Sequence, residues 1–384
     1  MTVTRRHPPL AAQRADLAIL GERARLRTLA PRAGVDFASN DYLALASSSR
    51  LAQAVEAAVG RGVPVGSGGS RLLRGNHPEH EALEADAAAF FGSEAALWFA
   101  TGFAANSALL STLPQKGDCI IHDELVHASA HEGLRLSRAV ARAVPHNDAD
   151  AFADTIRAWR VAGGRGTPWI AVESLYSMDG DRAPLADLAE IAERYDAMLL
   201  VDEAHATGVF GESGRGLASA LEGRDNVITL HTCGKALGCE GALLAGPLVM
   251  RDHLINRGRG FVFSTAPSPL MAVAVREALC ILADEPERRD ALHALMRHAE
   301  QVLEPLGAIV TGSQILPLVI GDDARTMALA RSVQHAGFDL RGIRPPTVPV
   351  GTSRLRISLT LNATTADVDA LAQVLGQALE QLAK

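Results

Sequence analysis

Lys235 is the residue of this 384-residue sequence whose type and setting point most directly to chemistry. Only three of the 37 basic residues are lysines, and the other two lie in a Pro-Gln-Lys-Gly turn and at the last position. Lys235 follows a β-like run and is surrounded by small, uncharged residues, in Thr232-Cys233-Gly234-Lys235-Ala236-Leu237-Gly238. A lysine amine can lose its proton and form a Schiff base, which an arginine cannot do. We therefore interpret Lys235 as a candidate covalent residue rather than a lysine that only reaches to solvent.

Further polar groups lie where predicted strands end. In open parallel sheets, ligands bind outside the carboxyl ends of the strands, so these groups are expected to lie close together. They are Asp202 and His205 after Leu199-Leu200-Val201, Ser177 and Asp179 after Val172-Glu173, Thr232 before Lys235, and Gly102 and Phe103 at the start of a helix.

An amine, a strand-end carboxylate, a hydroxyl and a helix N-terminus match the needs of pyridoxal phosphate (PLP). The amine forms the Schiff base, and the carboxylate keeps the pyridine nitrogen protonated. The helix end and Thr232 are expected to bind the phosphate, because free backbone N–H groups favour an anion. Each signal is weak alone, whereas the combination favours a PLP site.

Short apolar runs alternate with helical patterns from about residue 95 to 265, which is typical of parallel βαβ units. The predicted strands are Ala95–Phe99, Cys119–His122, Trp169–Glu173, Ala197–Asp202, Val227–Thr232 and Gly241–Ala245, with helices near 103–113, 126–137, 148–162 and 184–195. A smaller α/β tail is predicted to have an amphipathic stretch over 286–306, strands Ile315–Ile320 and Leu355–Leu359, and helices near 324–336 and 366–382. We expect an N-terminal arm (1–45), a large domain (46–285) and a small C-terminal domain (286–384).

The composition excludes several classes of protein. With 48% hydrophobic residues, 21% charged residues and a net charge of −7, the chain is neither disordered nor a nucleic-acid binder. No apolar run of about 18 residues predicts a membrane span. The four cysteines show no CxxC spacing, which suits a reducing cytoplasm. Residues 1–32 carry seven arginines, either as a solvated arm or as a rim that attracts an anionic substrate; they are Arg5, Arg6, Arg14, Arg23, Arg25, Arg27 and Arg32.

From about Phe37 to the C-terminus, the sequence resembles the α-oxoamine synthases, which are PLP-dependent enzymes of fold type I. The motifs that carry the resemblance are Ser39-Asn40-Asp41-Tyr42-Leu43, Gly66-Ser67-Gly68-Gly69-Ser70-Arg71, Thr101-Gly102-Phe103-Ala104-Ala105-Asn106, Ser177-Met178-Asp179-Gly180-Asp181, Val201-Asp202-Glu203-Ala204-His205 and Gly234-Lys235. The resemblance implies a mostly parallel central sheet flanked by helices, with a smaller C-terminal α/β domain. Ala44 stands where the family usually has glycine, and we expect only a mild packing change there.

The resemblance also implies roles for individual residues. Lys235 would hold PLP and move the substrate α-proton, and Asp202 would pair with the pyridine nitrogen. His127 would stack on the ring, with His205 and Ser177 near its phenolic oxygen. The remaining implied contacts are Gly102, Phe103 and Thr232 with the cofactor or its phosphate, Ser264 and Thr265 with the phosphate across a homodimer interface, Asn40 and Arg356 with the amino-acid carboxylate, and Thr347 with the acyl donor.

Within the family, the segments Gly66–Ser70 and Ile343–Pro349 favour condensation of L-alanine with a pimeloyl thioester. The acyl carrier, coenzyme A or acyl carrier protein, stays open, as does the arginine that meets the distal carboxylate, with Arg25 and Arg27 as candidates. Glycine C-acetyltransferase is the alternative within the family, and a non-catalytic α/β binding protein is the alternative outside it. His122, His127 and His131 could instead bind zinc, because 127 and 131 are one helical turn apart.

Overall fold

The computed structural model describes residues 9–383, so Arg5, Arg6 and Lys384 lie outside the described residues. Within that range no helix is both long and apolar enough to cross a membrane. The strands are β1 (Val35–Asp36), β2 (Ala95–Phe99), β3 (Cys119–Asp123), β4 (Val140–Val144), β5 (Pro168–Glu173), β6 (Met198–Asp202), β7 (Val227–Thr232), β8 (Ala242–Gly246), β9 (Ile315–Gly321), β10 (Phe338–Asp339), β11 (Gly342–Ile343) and β12 (Ser353–Ser358).

The helices alternate with these strands through most of the chain. They are α1 (Ala11–Glu22), α2 (Ser49–Gly60), α3 (Pro78–Phe90), α4 (Gly102–Thr112), α5 (Ala128–Leu136), α6 (Ala149–Val161), α7 (Leu185–Arg194), α8 (Leu248–Arg257), α9 (Arg259–Val262), α10 (Pro269–Asp284), α11 (Pro286–Leu303), α12 (Asp323–His335) and α13 (Thr365–Ala383). A single π-turn covers Arg71–Gly75, and 3₁₀ turns cover Glu212–Gly214, Ser219–Leu221 and Glu304–Leu306.

A seven-stranded sheet of order β2-β8-β7-β6-β5-β3-β4 forms the centre of the larger unit. The five strands from β7 to β4 pair in parallel, which confirms the predicted mostly parallel sheet. The interpretation of residues 241–245 as part of a parallel unit is wrong, because β8 runs antiparallel to both β7 and β2. The link from β7 to β8 is too short for the crossover that a parallel pair needs.

Side chains from the sheet enter two separate cores. Leu199 and Val201 of β6 pack on one face with Phe152 and Leu188. Leu200 points to the other face. Successive strand residues point to opposite faces, so a strand covered on both sides is apolar at nearly every position. Helices therefore cover both faces of the sheet, and the carboxyl ends of its parallel strands remain for a site.

The chain divides into two compact units, and the division is discontinuous in sequence. Among the described residues, the larger unit comprises 40–294 and 360–362, whereas the smaller comprises 9–39, 295–359 and 363–383. In the smaller unit, β11, β12 and β9 form an antiparallel sheet. Its N-terminal strand β1 pairs in parallel with β10, through Val35 and Phe338. The N-terminal residues thus belong to the same unit as most of the C-terminal third.

Candidate active site

Lys235 lies on a tight turn between β7 and β8. The backbone N–H of Cys233 donates to the carbonyl of Gly241 at 2.8 Å, and that of Gly238 donates to the carbonyl of Lys235 at 2.8 Å. Gly238 has φ +64°, and a Cβ built there would lie 2.3 Å from the backbone nitrogen of Ala46. Only glycine fits this close approach, and the turn therefore holds the lysine in a defined place.

A chain of hydrogen bonds leads from the Lys235 amine to Asn40. Lys235 Nζ lies 2.6 Å from Nε2 of His205. Nδ1 of the same ring lies 2.6 Å from the hydroxyl of Tyr42. That hydroxyl donates to Oδ1 of Asn40 at 3.0 Å. The structure thus links two predicted site residues, Asn40 and His205, to the candidate covalent lysine.

The polarity of this chain follows from what each group can donate. The Tyr42 hydroxyl donates its only proton to Asn40, so its oxygen accepts from the N–H at Nδ1 of His205. A lysine ammonium can only donate, so Nε2 of His205 accepts from Lys235 and carries no proton. The imidazole is therefore a neutral acceptor beside the amine and adds no positive charge there.

A second network holds the carboxylate of Asp202 at the end of β6. Oδ2 accepts from Nδ2 of Asn106 at 2.7 Å, and Oδ1 accepts from the backbone N–H of Ala204 at 3.0 Å. The same Asn106 amide donates to Oγ of Ser129 at 3.1 Å. Oγ of Ser129 lies 2.7 Å from Nδ1 of His127. Asp202 and His127 are thus fixed by shared buried polar residues.

The ring of His127 is oriented as the cap of helix α5. Its Nδ1 accepts from the backbone N–H of Ser129 at 3.2 Å, which leaves the proton of a neutral ring on Nε2. Surrounding atoms desolvate the ring and lower its pKa; the Asp202 carboxylate opposes this shift and the Lys235 ammonium adds to it. His127 is therefore within electrostatic reach of both groups and is neutral at pH 7.

Helix α4 begins beside Thr232. The Thr101 side chain accepts from the N–H of Ala104 at 3.0 Å, while the first-turn N–H groups of Gly102 and Phe103 have no acceptor inside the helix. A Cβ built on Gly102 would lie 3.6 Å from Oγ1 of Thr232. Two backbone donors and a hydroxyl thus lie close together at this helix N-terminus, which can bind an anion.

Ser177 lies in a tight turn after β5. Its backbone N–H donates to Oε2 of Glu173 at 3.2 Å. Glu173 is 3% exposed and pairs in register with Asp202 of β6. Burial raises the pKa of Glu173 to about 8, with the Asp202 charge adding to the shift and Lys235 opposing it. Glu173 is therefore mostly protonated at pH 7.

The remaining predicted site residues are Ser264, Thr265, Thr347 and Arg356. Ser264 and Thr265 line a small separate cavity together with Phe99 and Ala104. Thr347 and Arg356 belong to the smaller unit, where Thr347 is exposed and Arg356 is 6% exposed within β12. Their predicted roles in binding phosphate, acyl donor and carboxylate stay predictions.

Sequence reasoning missed three residues of the two networks, and Glu173 beside Asp202, as individual site residues. Tyr42 and Asn106 lie inside the family motifs Ser39–Leu43 and Thr101–Asn106, and these motifs were the sequence signal that could have identified them. Ser129 and Glu173 gave no sequence signal, because only the folded chain brings them to His127 and Asp202. Among residues 9–383, no group of three or more His, Cys, Asp or Glu side chains is arranged to hold a metal ion.

Comparisons with known proteins show the family of the chain. The family model described as aminotransferase class I and II matches residues 32–375. A curated 8-amino-7-oxononanoate synthase of Alkalilimnicola ehrlichii is 42% identical over 354 residues, which are 91% of this chain and 89% of the relative.

Two solved structures are similar along most of the chain. A serine palmitoyltransferase from S. paucimobilis with bound PLP–myriocin gives a TM-score of 0.87 at 23% identity, over 97% of this chain and 98% of the other. The 8-amino-7-oxononanoate synthase from Francisella tularensis gives 0.76 at 26% identity, over 91% and 98%. The chain belongs to the aminotransferase class I and II family, in the α-oxoamine synthase branch that these 8-amino-7-oxononanoate synthases represent.

Proposed function

We propose that this protein is a PLP-dependent acyltransferase that condenses L-alanine with a pimeloyl thioester. The products are 8-amino-7-oxononanoate, CO₂ and a free thiol, and the reaction belongs to biotin biosynthesis. The observation that carries the proposal is the contact of 2.6 Å between Lys235 Nζ and His205 Nε2, together with the hydrogen-bonded Asp202 carboxylate at the end of β6. The 42% identity to a curated 8-amino-7-oxononanoate synthase supports the choice of substrates.

The donor set of the site fits PLP. Lys235 would hold the cofactor, Asp202 its pyridine nitrogen, and the N-terminus of α4 with Thr232 its phosphate. His127 would cover the ring, and Ser177 and His205 would lie near the phenolic oxygen. When bound, PLP supplies an electron sink that stabilises negative charge at the substrate α-carbon.

The residues around Lys235 suit it to act as a base. Its Nζ would take the α-proton of alanine. Because His205 accepts from the amine as a neutral ring, no cation next to it repels the added proton. Tyr42 and Asn40 fix the orientation of the imidazole through Nδ1. Preorganised partners of this kind do not need to reorient while the proton moves.

Contacts in the smaller unit distinguish the two arginines proposed for the acyl carboxylate. Nε of Arg25 donates to Oδ2 of Asp323 at 2.5 Å, an ion pair in which both side chains are mostly buried. Nη2 of Arg27 donates to Oγ1 of Thr347 at 3.0 Å in an exposed setting. We assign the distal carboxylate of the pimeloyl chain to Arg27, because its exposed guanidinium is bonded to a neutral hydroxyl, whereas that of Arg25 is already paired with a carboxylate.

The remaining parts of the proposal concern substrates and assembly. Asn40 and Arg356 would bind the alanine carboxylate, and Thr347 would contact the acyl donor. Ser264 and Thr265 would reach the phosphate in the partner subunit of a homodimer. A cytoplasmic location is consistent with the four free cysteines, Cys119, Cys233, Cys239 and Cys280.

A substrate panel tests the proposal. Purified protein is loaded with PLP and assayed with alanine, glycine and serine, each paired with pimeloyl, acetyl, succinyl and palmitoyl thioesters. We expect the highest kcat/KM for alanine with the pimeloyl donor. Preference for glycine with acetyl-CoA would overturn the choice of substrates, and absence of a PLP absorbance band would support a binding protein instead. Pimeloyl-CoA and pimeloyl-acyl carrier protein are compared in the same assay.

A further inference from the structure

A cluster of charged residues, half-buried except for the buried Asp123, contacts the turn that carries Ser177. His146 follows β4 and lies between two carboxylates. Its Nδ1 is 3.0 Å from both carboxylate oxygens of Asp123, and its Nε2 is 2.7 Å from Oδ2 of Asp181. Asp123 ends β3 and is fully buried, whereas Asp181 belongs to the turn after β5. The imidazole therefore bridges two separate loops.

The shortest contact of each His146 ring nitrogen is to a carboxylate oxygen; the Asn147 amide is farther from Nε2, at 3.2 Å. A carboxylate only accepts hydrogen bonds, and a neutral imidazole has a single N–H. Both ring nitrogens must donate, so the ring is a cation held between two anions. The two carboxylates accordingly raise the pKa of His146 to about 10, against the effect of its burial.

Asn147 strengthens the same bridge. Its backbone N–H donates to Oδ2 of Asp123 at 2.8 Å, and its side-chain amide donates to Oδ2 of Asp181 at 2.8 Å. The ring of His146 also packs edge-on against Tyr176, with centroids 4.4 Å apart. Three kinds of contact, ionic, amide and aromatic, thus join the segment after β4 to the turn.

The turn itself is short and closed at its base. The N–H of Tyr176 donates to the carbonyl of Asp181 at 2.9 Å, and the N–H of Gly180 donates to the carbonyl of Tyr176 at 2.9 Å. Asp181 and Tyr176 are therefore opposite each other at the base, with Ser177 on the loop between them. Asp181 and Ser177 therefore belong to one hydrogen-bonded turn.

We propose that His146 is a positioning residue whose imidazolium holds the Ser177 turn against the ends of β3 and β4. Ser177 is thereby kept at the place from which it contacts the bound cofactor. The proposal rests on the cofactor role of Ser177 given under the proposed function. Four residues would then affect cofactor binding without touching the cofactor, namely Asp123, His146, Asn147 and Asp181.

A double-mutant cycle on PLP binding tests the coupling. The dissociation constant of PLP is measured by absorbance for the wild type, His146→Gln, Ser177→Ala and the double variant. We expect His146→Gln to weaken binding about tenfold, as for one lost hydrogen bond to a charged group. In the double variant, the increase in the dissociation constant should be smaller than the product of the two single increases, because both substitutions remove the contact of Ser177 with the cofactor. The proposal would be overturned if the two increases in the dissociation constant multiplied in the double variant, or if His146→Gln bound PLP as tightly as the wild type.

Hydrogen exchange in the cofactor-free protein supplies a readout that does not depend on PLP. Amides of residues 175–183 should exchange faster in His146→Gln, whereas those of β7 should not change. Equal exchange in the turn would contradict the proposal, and failure to bind PLP at all would contradict only the proposed function. If His146→Gln does not fold, PLP binding and hydrogen exchange are measured on Asp181→Asn instead. His298→Gln, which removes a histidine bonded to a single carboxylate at 2.7 Å, is the matched control and should change neither.

Discussion

At the scale of single residues, the site combines groups that are charged with groups that are kept neutral. His205 is neutral because it donates to Tyr42 and accepts from Lys235. Glu173 is kept mostly protonated by burial beside Asp202. Under the proposed function, the Lys235 amine would hold PLP and the Asp202 carboxylate would pair with its pyridine nitrogen.

Replacement of Lys235 tests the covalent role. We expect Lys235→Ala and Lys235→Arg to lose both turnover and the visible absorbance of the bound cofactor, because neither side chain can form an imine. Absorbance spectra and single-turnover assays check this. Lys116→Arg is the matched control, since Lys116 is exposed and should be replaceable. Appreciable synthase activity in Lys235→Arg would refute the assignment.

Replacement of the two arm arginines separates a binding role from a structural one. Arg27→Ala should raise KM for the pimeloyl donor by about tenfold or more, the loss of one charge-assisted hydrogen bond, and leave the melting temperature nearly unchanged. Arg25→Ala should instead lower the melting temperature, because Asp323 would lose its buried partner. Steady-state kinetics and thermal unfolding of both variants check this. A raised KM in Arg25→Ala together with a lowered melting temperature in Arg27→Ala would show that Arg25 binds the donor and Arg27 is structural.

At the scale of elements, helix α4 connects local stability with anion binding. Thr101 caps it at 3.0 Å, and Asp148 caps α6 in the same way at 2.9 Å. Thr101→Ala and Asp148→Ala should each cost about 1 kcal/mol of stability. Only Thr101→Ala should also weaken PLP binding, because its helix begins with Gly102 and Phe103. Thermal unfolding and PLP titration check this, and equal PLP affinity in both variants would argue against a phosphate site at α4.

The predicted strands of the central sheet agree with the structure to within one or two residues, because burial on both faces makes them apolar throughout. Strand β4 was missed because four of its five residues are exposed, so Val140–Val144 shows no apolar run. Strand β1 has two residues and pairs with a partner far along the chain, which leaves no local signal. The two networks of the site were partly missed for the same reason, since sequence motifs do not reveal which residues meet in space.

Ala44 shows how a correct observation led to an incomplete explanation. The expected packing change is a backbone effect, because Ala44 has φ +52°, in the left-handed region. Glycine adopts this conformation without strain, whereas alanine pays roughly 1 kcal/mol for it. The family's usual glycine at this position therefore has a conformational reason.

At the scale of the whole molecule, the His146 bridge makes stability depend on pH. The pKa of this imidazole rises from 6.5 to about 10 in the folded protein. A cation with a raised pKa stabilises the fold fully below pH 6.5, and this stabilisation is lost as the pH rises towards 10. The difference in melting temperature between the wild type and His146→Gln should therefore be largest near pH 6 and shrink towards pH 10. A difference that stays constant with pH would contradict a charged bridge.

The pairing of β1 with β10 has a consequence for how the chain folds during its synthesis. Val35 leaves the ribosome long before its partner Phe338 has been made. At about 5–20 residues per second, the roughly 300 intervening residues take roughly 15–60 seconds to translate. During that interval, the larger unit can complete its sheet while the N-terminal segment still lacks its partner strand. The segment that forms β1 is therefore exposed to chaperones and proteases until Phe338 has emerged.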